Sequence, residues 1–173
     1  EPLNANQHMH LLEAFLEWED AGETDGWKNL ADETVGLALE MFIDAASGGI
    51  REHYDHDWQP AQGEIGRFFE PGHQFEWAWL LWRWATARRR SDVFPKVRLL
   101  AQIGETYGIN AGTGLAVDRI WDDMSVRDAE SRLWPQTERI KAHLATAELA
   151  CDEVEFEREV GLAADAAGSL RRY

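Results

Sequence analysis

Residues 70–79, EPGHQFEWAW, open a stretch of this 173-residue chain that is apolar nearly all round. Between His73 and Arg90 apolar side chains fall on almost every side of a helical wheel, which predicts a helix that is buried on most of its faces. The Pro71-Gly72 pair gives this helix a sharp entry. We therefore expect its first turn to lie at the edge of a cavity.

Helical spacing of apolar residues also dominates the rest of the chain. Asn6 is a candidate N-cap for the first helix, and Gly22 is a candidate stop signal. Two stretches, 48–60 and 110–127, carry glycines and read as short strands or ordered loops. No linker divides the chain, so we expect one all-α domain over residues 1–173. The six predicted helices cover residues 7–20, 25–44, 73–90, 93–108, 131–148 and 153–172.

A repeat is visible when the helices are aligned on their polar residues. His10 and Glu13 in the first helix are echoed by His73 and Glu76, and again by the segment Pro135-Gln-Thr-Glu138. The three glutamates are 63 and 62 residues apart, and each period holds two helices. The unit is therefore a helical hairpin that occurs three times. A closed ring of hairpins would point the polar clusters into one cavity, and an open solenoid is the alternative.

The charge balance and the cysteine count exclude several classes of protein. The chain has 17 Lys+Arg against 32 Asp+Glu, a net charge of -15, which argues against nucleic acid or an anionic membrane as partner. The single cysteine, Cys151, rules out an intramolecular disulfide framework. Because one free cysteine fits a reducing compartment, we expect a cytoplasmic protein.

His73 and Glu76 are the strongest candidates for chemistry. They are three residues apart, so they share one face of the first helical turn. A carboxylate beside an imidazole can fix its tautomer and raise its pKa, which suits proton transfer near neutral pH. Trp77 could form an aromatic wall beside them. The same spacing also fits a purely structural pair, in which Glu76 is a buried acceptor and His73 caps the helix.

The two other members of the repeat supply further candidates for the cavity. His10 shares a helix face with Glu13. Glu138 has Trp134 and Gln136 nearby. Only the register of Glu138 with the other two glutamates distinguishes it from an ordinary solvated residue.

A metal site is considered at His53 and His56, because Asp55 and Asp57 place carboxylates in the same short segment. The segment is very polar, and no cysteine or second element joins it. We therefore expect no metal, and no cofactor is indicated: the sequence has neither a glycine-rich phosphate loop nor a Gly-x-Ser-x-Gly elbow.

Three segments together resemble the N-acylglucosamine 2-epimerase superfamily, in particular its mannose isomerase-like branch. They are Asn6-Gln-His-Met-His10-Leu-Leu-Glu13-Ala, Glu70-Pro-Gly-His73-Gln-Phe-Glu76-Trp-Ala-Trp and Leu133-Trp-Pro-Gln-Thr-Glu138. Their order and intervals are more specific than any one of them, and the likeness runs over essentially the whole chain. The resemblance implies an (α/α)6 barrel, of which this chain would supply about six helices, or three of the six hairpins.

The resemblance also implies an activity, which is metal-free and cofactor-free proton transfer on a sugar through an enediolate. It implies that His73 is one of two acid/base histidines and that Glu76 supports it. The second histidine of the family lies in the last hairpin, and His143 is out of register with it, so we expect little activity from these 173 residues alone. The residues that would hold the sugar are His10, Glu13, Trp77, Trp134, Gln136 and Glu138.

The acidic balance favours an unphosphorylated sugar, with mannose-to-fructose isomerisation as the leading hypothesis. A sugar 2-epimerase and a non-catalytic carbohydrate-binding or assembly module remain the alternatives. Half a barrel would expose the apolar edges of its inner helices, so we expect the isolated chain to form a homo-oligomer.

Overall fold

Three consecutive helical hairpins make up most of the computed structural model, which describes residues 2–22 and 24–172, without the side chains of Thr24, Asp25 and Arg172. The helices are α1 (Ala5–Asp20), α2 (Thr24–Leu37), α3 (Pro71–Arg88), α4 (Phe94–Gly108), α5 (Leu133–Glu148) and α6 (Glu153–Ser169). The strands are β1 (Leu3–Asn4), β2 (His53–Tyr54), β3 (Phe68–Phe69), β4 (Arg119–Trp121) and β5 (Val126–Asp128). The six predicted helices are thus confirmed.

The hairpins are arranged in two layers. Within each hairpin the two helices pack on each other, as α1 on α2, α3 on α4 and α5 on α6. The first helices also pack side by side, because α3 contacts both α1 and α5. The row α1–α3–α5 is therefore an inner layer, and α2, α4 and α6 lie outside it.

The ends of the helices differ from the predicted ends by a few residues for identifiable reasons. Asn4, in extended conformation, caps α1 by accepting a hydrogen bond from the backbone N–H of Asn6 at 2.7 Å, so the helix begins two residues earlier than predicted. Gly22 follows the helix at φ 98°, as its stop role requires. The regular part of α2 ends at Leu37 and continues as a π-helical turn over Ala38–Phe42. Residue 173, at the end of the predicted domain, lies outside the described residues.

Helix α3 forms the centre of the hydrophobic core, as its sequence predicts. Phe75, Leu80 and Leu81 are fully buried on different sides of it. A side chain on this helix can therefore reach solvent or a ligand only near the first turn. No helix among the described residues is both long and apolar enough to cross a bilayer.

Two glutamines, 62 residues apart in the sequence, fix the loops that lead into α3 and α5. The side-chain amide of Gln74 accepts a hydrogen bond from the backbone N–H of Ile50 and donates one to its carbonyl, both at 2.8 Å. Gln136 makes the same pair of bonds to Ala116, at 2.8 and 3.1 Å. We call these two contacts the glutamine clamps. They extend the repeat from the helices into the connections between hairpins.

The short strands hold the same connections in place. Strand β1 pairs with β2 in antiparallel fashion, and β3, β4 and β5 form a three-stranded antiparallel sheet. Because β3 ends directly before Glu70, this sheet sets the position at which α3 begins. The short strands lie in or next to the two stretches for which strands or ordered loops are predicted.

Candidate active site

The N-terminal turns of α1, α3 and α5 open into one cavity of about 440 Å³. All three polar clusters of the sequence repeat reach it, as a ring-like arrangement of hairpins requires. Its lining residues are Asn6, His10, Glu13, Glu70, His73, Glu76, Arg132, Trp134 and Glu138.

His73 is held at the cavity wall by a carboxylate from another part of the chain. Its Nδ1 lies 2.8 Å from Oε2 of Glu52, and its ring lies against Trp134 with the ring centroids 5.0 Å apart. Burial alone would lower the pKa of His73, but the negative charge and hydrogen bond of Glu52 outweigh it and raise the pKa to about 9. At neutral pH the pair is therefore an imidazolium bound to a carboxylate.

Glu52 is in turn fixed by the start of α3. It is 3% exposed, and its Oε1 accepts a hydrogen bond from the backbone N–H of Glu70 at 3.2 Å. A bond of this kind to a helix N-terminus stabilises the carboxylate. Glu52, and not Glu76 as we expected, thus fixes the orientation of the His73 ring. Glu76 acts on His73 only through its charge.

Glu76 and Glu138 form an acidic floor to the cavity. Glu76 is 5% exposed, and burial together with the neighbouring Glu138 raises its pKa to about 7. Burial also raises the pKa of Glu138, although the ammonium of Lys141 lies 2.5 Å from its Oε2 and opposes the shift. Nδ1 of His10 lies 3.6 Å from Oε1 of Glu76 and 3.9 Å from Oε2 of Glu13.

Arg132 lines the cavity but its charge is already compensated. Its guanidinium donates to Glu70 at 2.7 Å and to Asp118 at 2.8 Å. Its plane also lies over the ring of Trp134, 5.1 Å from the centroid. Among the described residues, four carboxylates and one paired arginine face the cavity, so the surface offered to a ligand is acidic.

Two of the residues predicted to hold the sugar do not line the cavity. Trp77 has no exposed area and packs against Phe42 in the core, with ring centroids 6.0 Å apart, because this turn of α3 faces the outer helices. Gln136 is also fully buried and spends its amide on the clamp to Ala116. Neither side chain can contact a ligand in this cavity.

Sequence reasoning missed three residues of the site. Glu70 and Arg132 directly precede the first turns of α3 and α5, and Glu70 stands in the motif quoted above without an assigned role. Glu52 lies 21 residues before His73, so no helical spacing connects the two. The only available signal is its place in the polar segment 48–60, which also approaches the start of α3.

The histidine-rich segment 53–57 does not assemble a metal site. Asp55 uses its carboxylate to accept backbone N–H bonds from Asp57 and Gln59 at 2.9 Å. Across residues 2–22 and 24–172, one group of three metal-ligating side chains is close enough to share an ion, and it consists of His10, Glu13 and Glu76.

His143 faces away from the cavity, as its register predicts. It is 2% exposed, with Nδ1 2.8 Å from Glu159 of α6 and Nε2 3.1 Å from Glu105 of α4. Burial would lower the pKa of His143, but the two carboxylates raise it. Burial would raise the pKa of Glu159, but hydrogen bonds from His143, Thr146 and Arg158 lower it to about 2. This cluster joins the second and third hairpins.

We expect the cluster around His143 to give stability a defined pH window. The lowered pKa of Glu159 contributes stability above its usual value of 4.5 that is lost as the pH falls toward 2. The raised pKa of His143 contributes stability below 6.5 that is lost as the pH rises through the folded-state value. The His143→Gln variant should therefore lose most melting temperature between pH 4.5 and 6.5 and less at pH 9. An equal loss at all pH values, measured by circular dichroism, would contradict this.

Comparison with known proteins agrees with this architecture. Residues 2–167 match the family model described as N-acylglucosamine 2-epimerase (GlcNAc 2-epimerase). A protein of Rhizobium meliloti (strain 1021) named mannose-6-phosphate isomerase is 48% identical over 174 residues, which are 99% of this chain and 45% of that protein. The chain thus spans about half the length of this curated relative.

Solved structures show the same fold. The crystal structure of a D-mannose isomerase superposes with a TM-score of 0.82 at 24% identity, over 95% of this chain and 43% of that one. A cellobiose 2-epimerase from Bacillus thermoamylovorans B4167 gives a TM-score of 0.78 at 13% identity, over 95% and 44% of the two chains. The three hairpins are therefore part of an (α/α)6 barrel. By its sequence match over nearly its whole length and by its fold, the chain belongs to the N-acylglucosamine 2-epimerase family.

Proposed function

We propose that the protein to which this chain contributes interconverts an aldose and a ketose, of the mannose-to-fructose type, through an enediolate. The observation that carries the proposal is the His73–Glu52 pair at the wall of an acidic cavity. With Nδ1 bound to Glu52, Nε2 of His73 is the ring nitrogen left to exchange a proton with a ligand. The names of the relatives, mannose-6-phosphate isomerase and D-mannose isomerase, support the same chemistry.

In the proposed reaction a proton leaves C2 of the open-chain aldose, and the electron pair forms the enediolate. Return of a proton to C1 gives the ketose, and return to the other face of C2 gives the epimer. Because the pKa of His73 is raised to about 9, His73 begins the cycle as a proton donor and becomes a base after donating. The family resemblance supplies its partner as a second histidine from the rest of the barrel.

The other lining residues suit a sugar. Glu13, Glu76 and Glu138 can accept hydrogen bonds from hydroxyl groups, and His10 can donate or accept one. The half-exposed ring of Trp134 offers a flat apolar surface for the C–H face of a pyranose. We assign these five residues to substrate binding and His73 to proton transfer.

We expect the substrate to be unphosphorylated. A phosphate needs an unpaired cation or free backbone N–H groups, whereas Arg132 is bound to two carboxylates and four glutamates face the cavity. The full-length protein should convert mannose to fructose with a kcat/KM at least about tenfold above that for mannose 6-phosphate, since burial against like charge costs more than 1.4 kcal/mol.

Sugar analysis by chromatography after incubation in heavy water tests this assignment. Fructose carrying deuterium at C1 is expected from mannose. Glucose as the main product would identify a 2-epimerase instead, and a sugar that keeps its C2 hydrogen would identify a binding module. A preference for mannose 6-phosphate would contradict the substrate assignment.

We also propose that the isolated chain self-associates and that the protein works in the cytoplasm. Exposed apolar side chains support the first point, notably Val154 and Phe156 on α6 and Leu11 and Trp18 on α1. Static light scattering at micromolar concentration should give a mass above that of the 19.8 kDa chain. A concentration-independent monomer would contradict self-association.

A further inference from the structure

We propose that the corner of the cavity formed by His10, Glu13 and Glu76 binds one divalent transition-metal cation, with Zn²⁺ as the best fit. This goes beyond the isomerase activity, which needs no metal, and it does not depend on that activity.

The geometry of the three side chains is close to that of a ligand set. One ligand atom of each, a histidine nitrogen or a carboxylate oxygen, lies within 4.8 Å of the other two. Nδ1 of His10 is 3.6 Å from Oε1 of Glu76 and 3.9 Å from Oε2 of Glu13. Two ligands bound tetrahedrally to zinc at about 2.0–2.1 Å are separated by about 3.4 Å. Small side-chain rotations of His10, which is 59% exposed, are enough to close the difference.

Glu76 gives an independent reason to expect a cation. Its side chain is buried, it lines the cavity, and no hydrogen bond joins its carboxylate to any residue that the structure describes. Glu13 and Glu138 add further negative charge to its surroundings. A buried carboxylate without a donor is unfavourable, and a bound cation would satisfy it. The distance to His10 is too long for a hydrogen bond.

The mixture of ligands determines which cation fits. One imidazole and two carboxylates suit zinc, cobalt or nickel, since an imidazole nitrogen binds these ions better than it binds magnesium. Magnesium prefers an octahedral shell of oxygens and keeps most of its water. With three protein ligands, zinc would retain one open position in the cavity.

Isothermal titration of the metal-free 173-residue chain with ZnCl₂ at neutral pH tests the proposal. We expect one saturable site per chain and no saturable heat with MgCl₂. The variants His10→Gln and Glu76→Gln should each weaken zinc binding by at least about tenfold. Because His10 is exposed, its replacement leaves the fold intact, and circular dichroism checks this for both variants.

His56→Asn is the matched control. It removes an exposed histidine from the other segment rich in histidine and aspartate, and its zinc affinity should stay within about twofold of the parent chain. The proposal is overturned if the parent chain does not bind zinc, if His10→Gln and Glu76→Gln retain the parent affinity, or if magnesium binds equally well. None of these readouts requires sugar turnover, so the isomerase proposal stands or falls separately.

Discussion

Replacement of His73 by asparagine is expected to lower kcat/KM of the full-length protein by about 10²–10⁴-fold, the usual contribution of a positioned general acid–base. Asparagine keeps a polar group near Glu52, so the buried carboxylate is not left without a donor. The loss should therefore come from proton transfer. Exchange of the C2 hydrogen in heavy water should fall in parallel with ketose formation. Activity within about twofold of the parent protein would remove His73 from the mechanism.

The Glu52→Gln variant separates positioning from chemistry in the same experiment. It keeps the size of the side chain but removes the charge that holds the pKa of His73 at about 9. Because burial then acts with less opposition, the pKa of His73 should fall, and activity should be lost at a lower pH than in the parent protein. A purely structural role would lower activity without moving the pH profile. His143→Gln, which removes another buried histidine held by carboxylates, should leave kcat unchanged below its melting temperature.

Truncation of Trp77 to alanine should cost about 3–5 kcal/mol of unfolding free energy, as expected for a large aromatic side chain in a packed core. Trp77→Phe should cost much less. Phenylalanine fills most of the space, and it removes an indole N–H that has no hydrogen-bond partner among the described residues. Urea unfolding followed by circular dichroism measures both values.

Trp18 provides the comparison for Trp77. It is 49% exposed on α1, so Trp18→Ala should destabilise the chain far less than Trp77→Ala. If Trp77 were a wall of the substrate site, Trp77→Phe would raise KM and leave stability unchanged. That result would restore the role that its sequence position suggests and would contradict its place in the core.

The helices and the meeting point of the polar clusters were predictable because both follow from periodicity. Apolar spacing locates α1 to α6, and the common register of Glu13, Glu76 and Glu138 predicts that they face one cavity. Spacing along a helix shows which residues share a face. It does not show which neighbour that face meets, and for this reason Trp77 was assigned to the cavity when it lies in the core.

The remaining differences come from contacts between distant segments. Glu52 reaches His73 from a loop, and a carboxylate in a polar loop carries no signal of its partner. Gln136 could have been placed correctly. It is two residues from Glu138, so the two side chains leave the helix in nearly opposite directions. It also occupies the same register as Gln74, which indicates a shared structural role.

The glutamine clamps bear on how the chain opens. Each one connects the first turns of an inner helix to the loop that arrives from the preceding hairpin, so neither hairpin can separate without breaking two buried hydrogen bonds. In a linear array of repeats such links between neighbours turn independent units into a cooperative one. Local opening should therefore begin in the exposed loops and at the ends of the described chain. The backbone amides of Ile50 and Ala116 should exchange with solvent deuterium only when two hairpins unfold together.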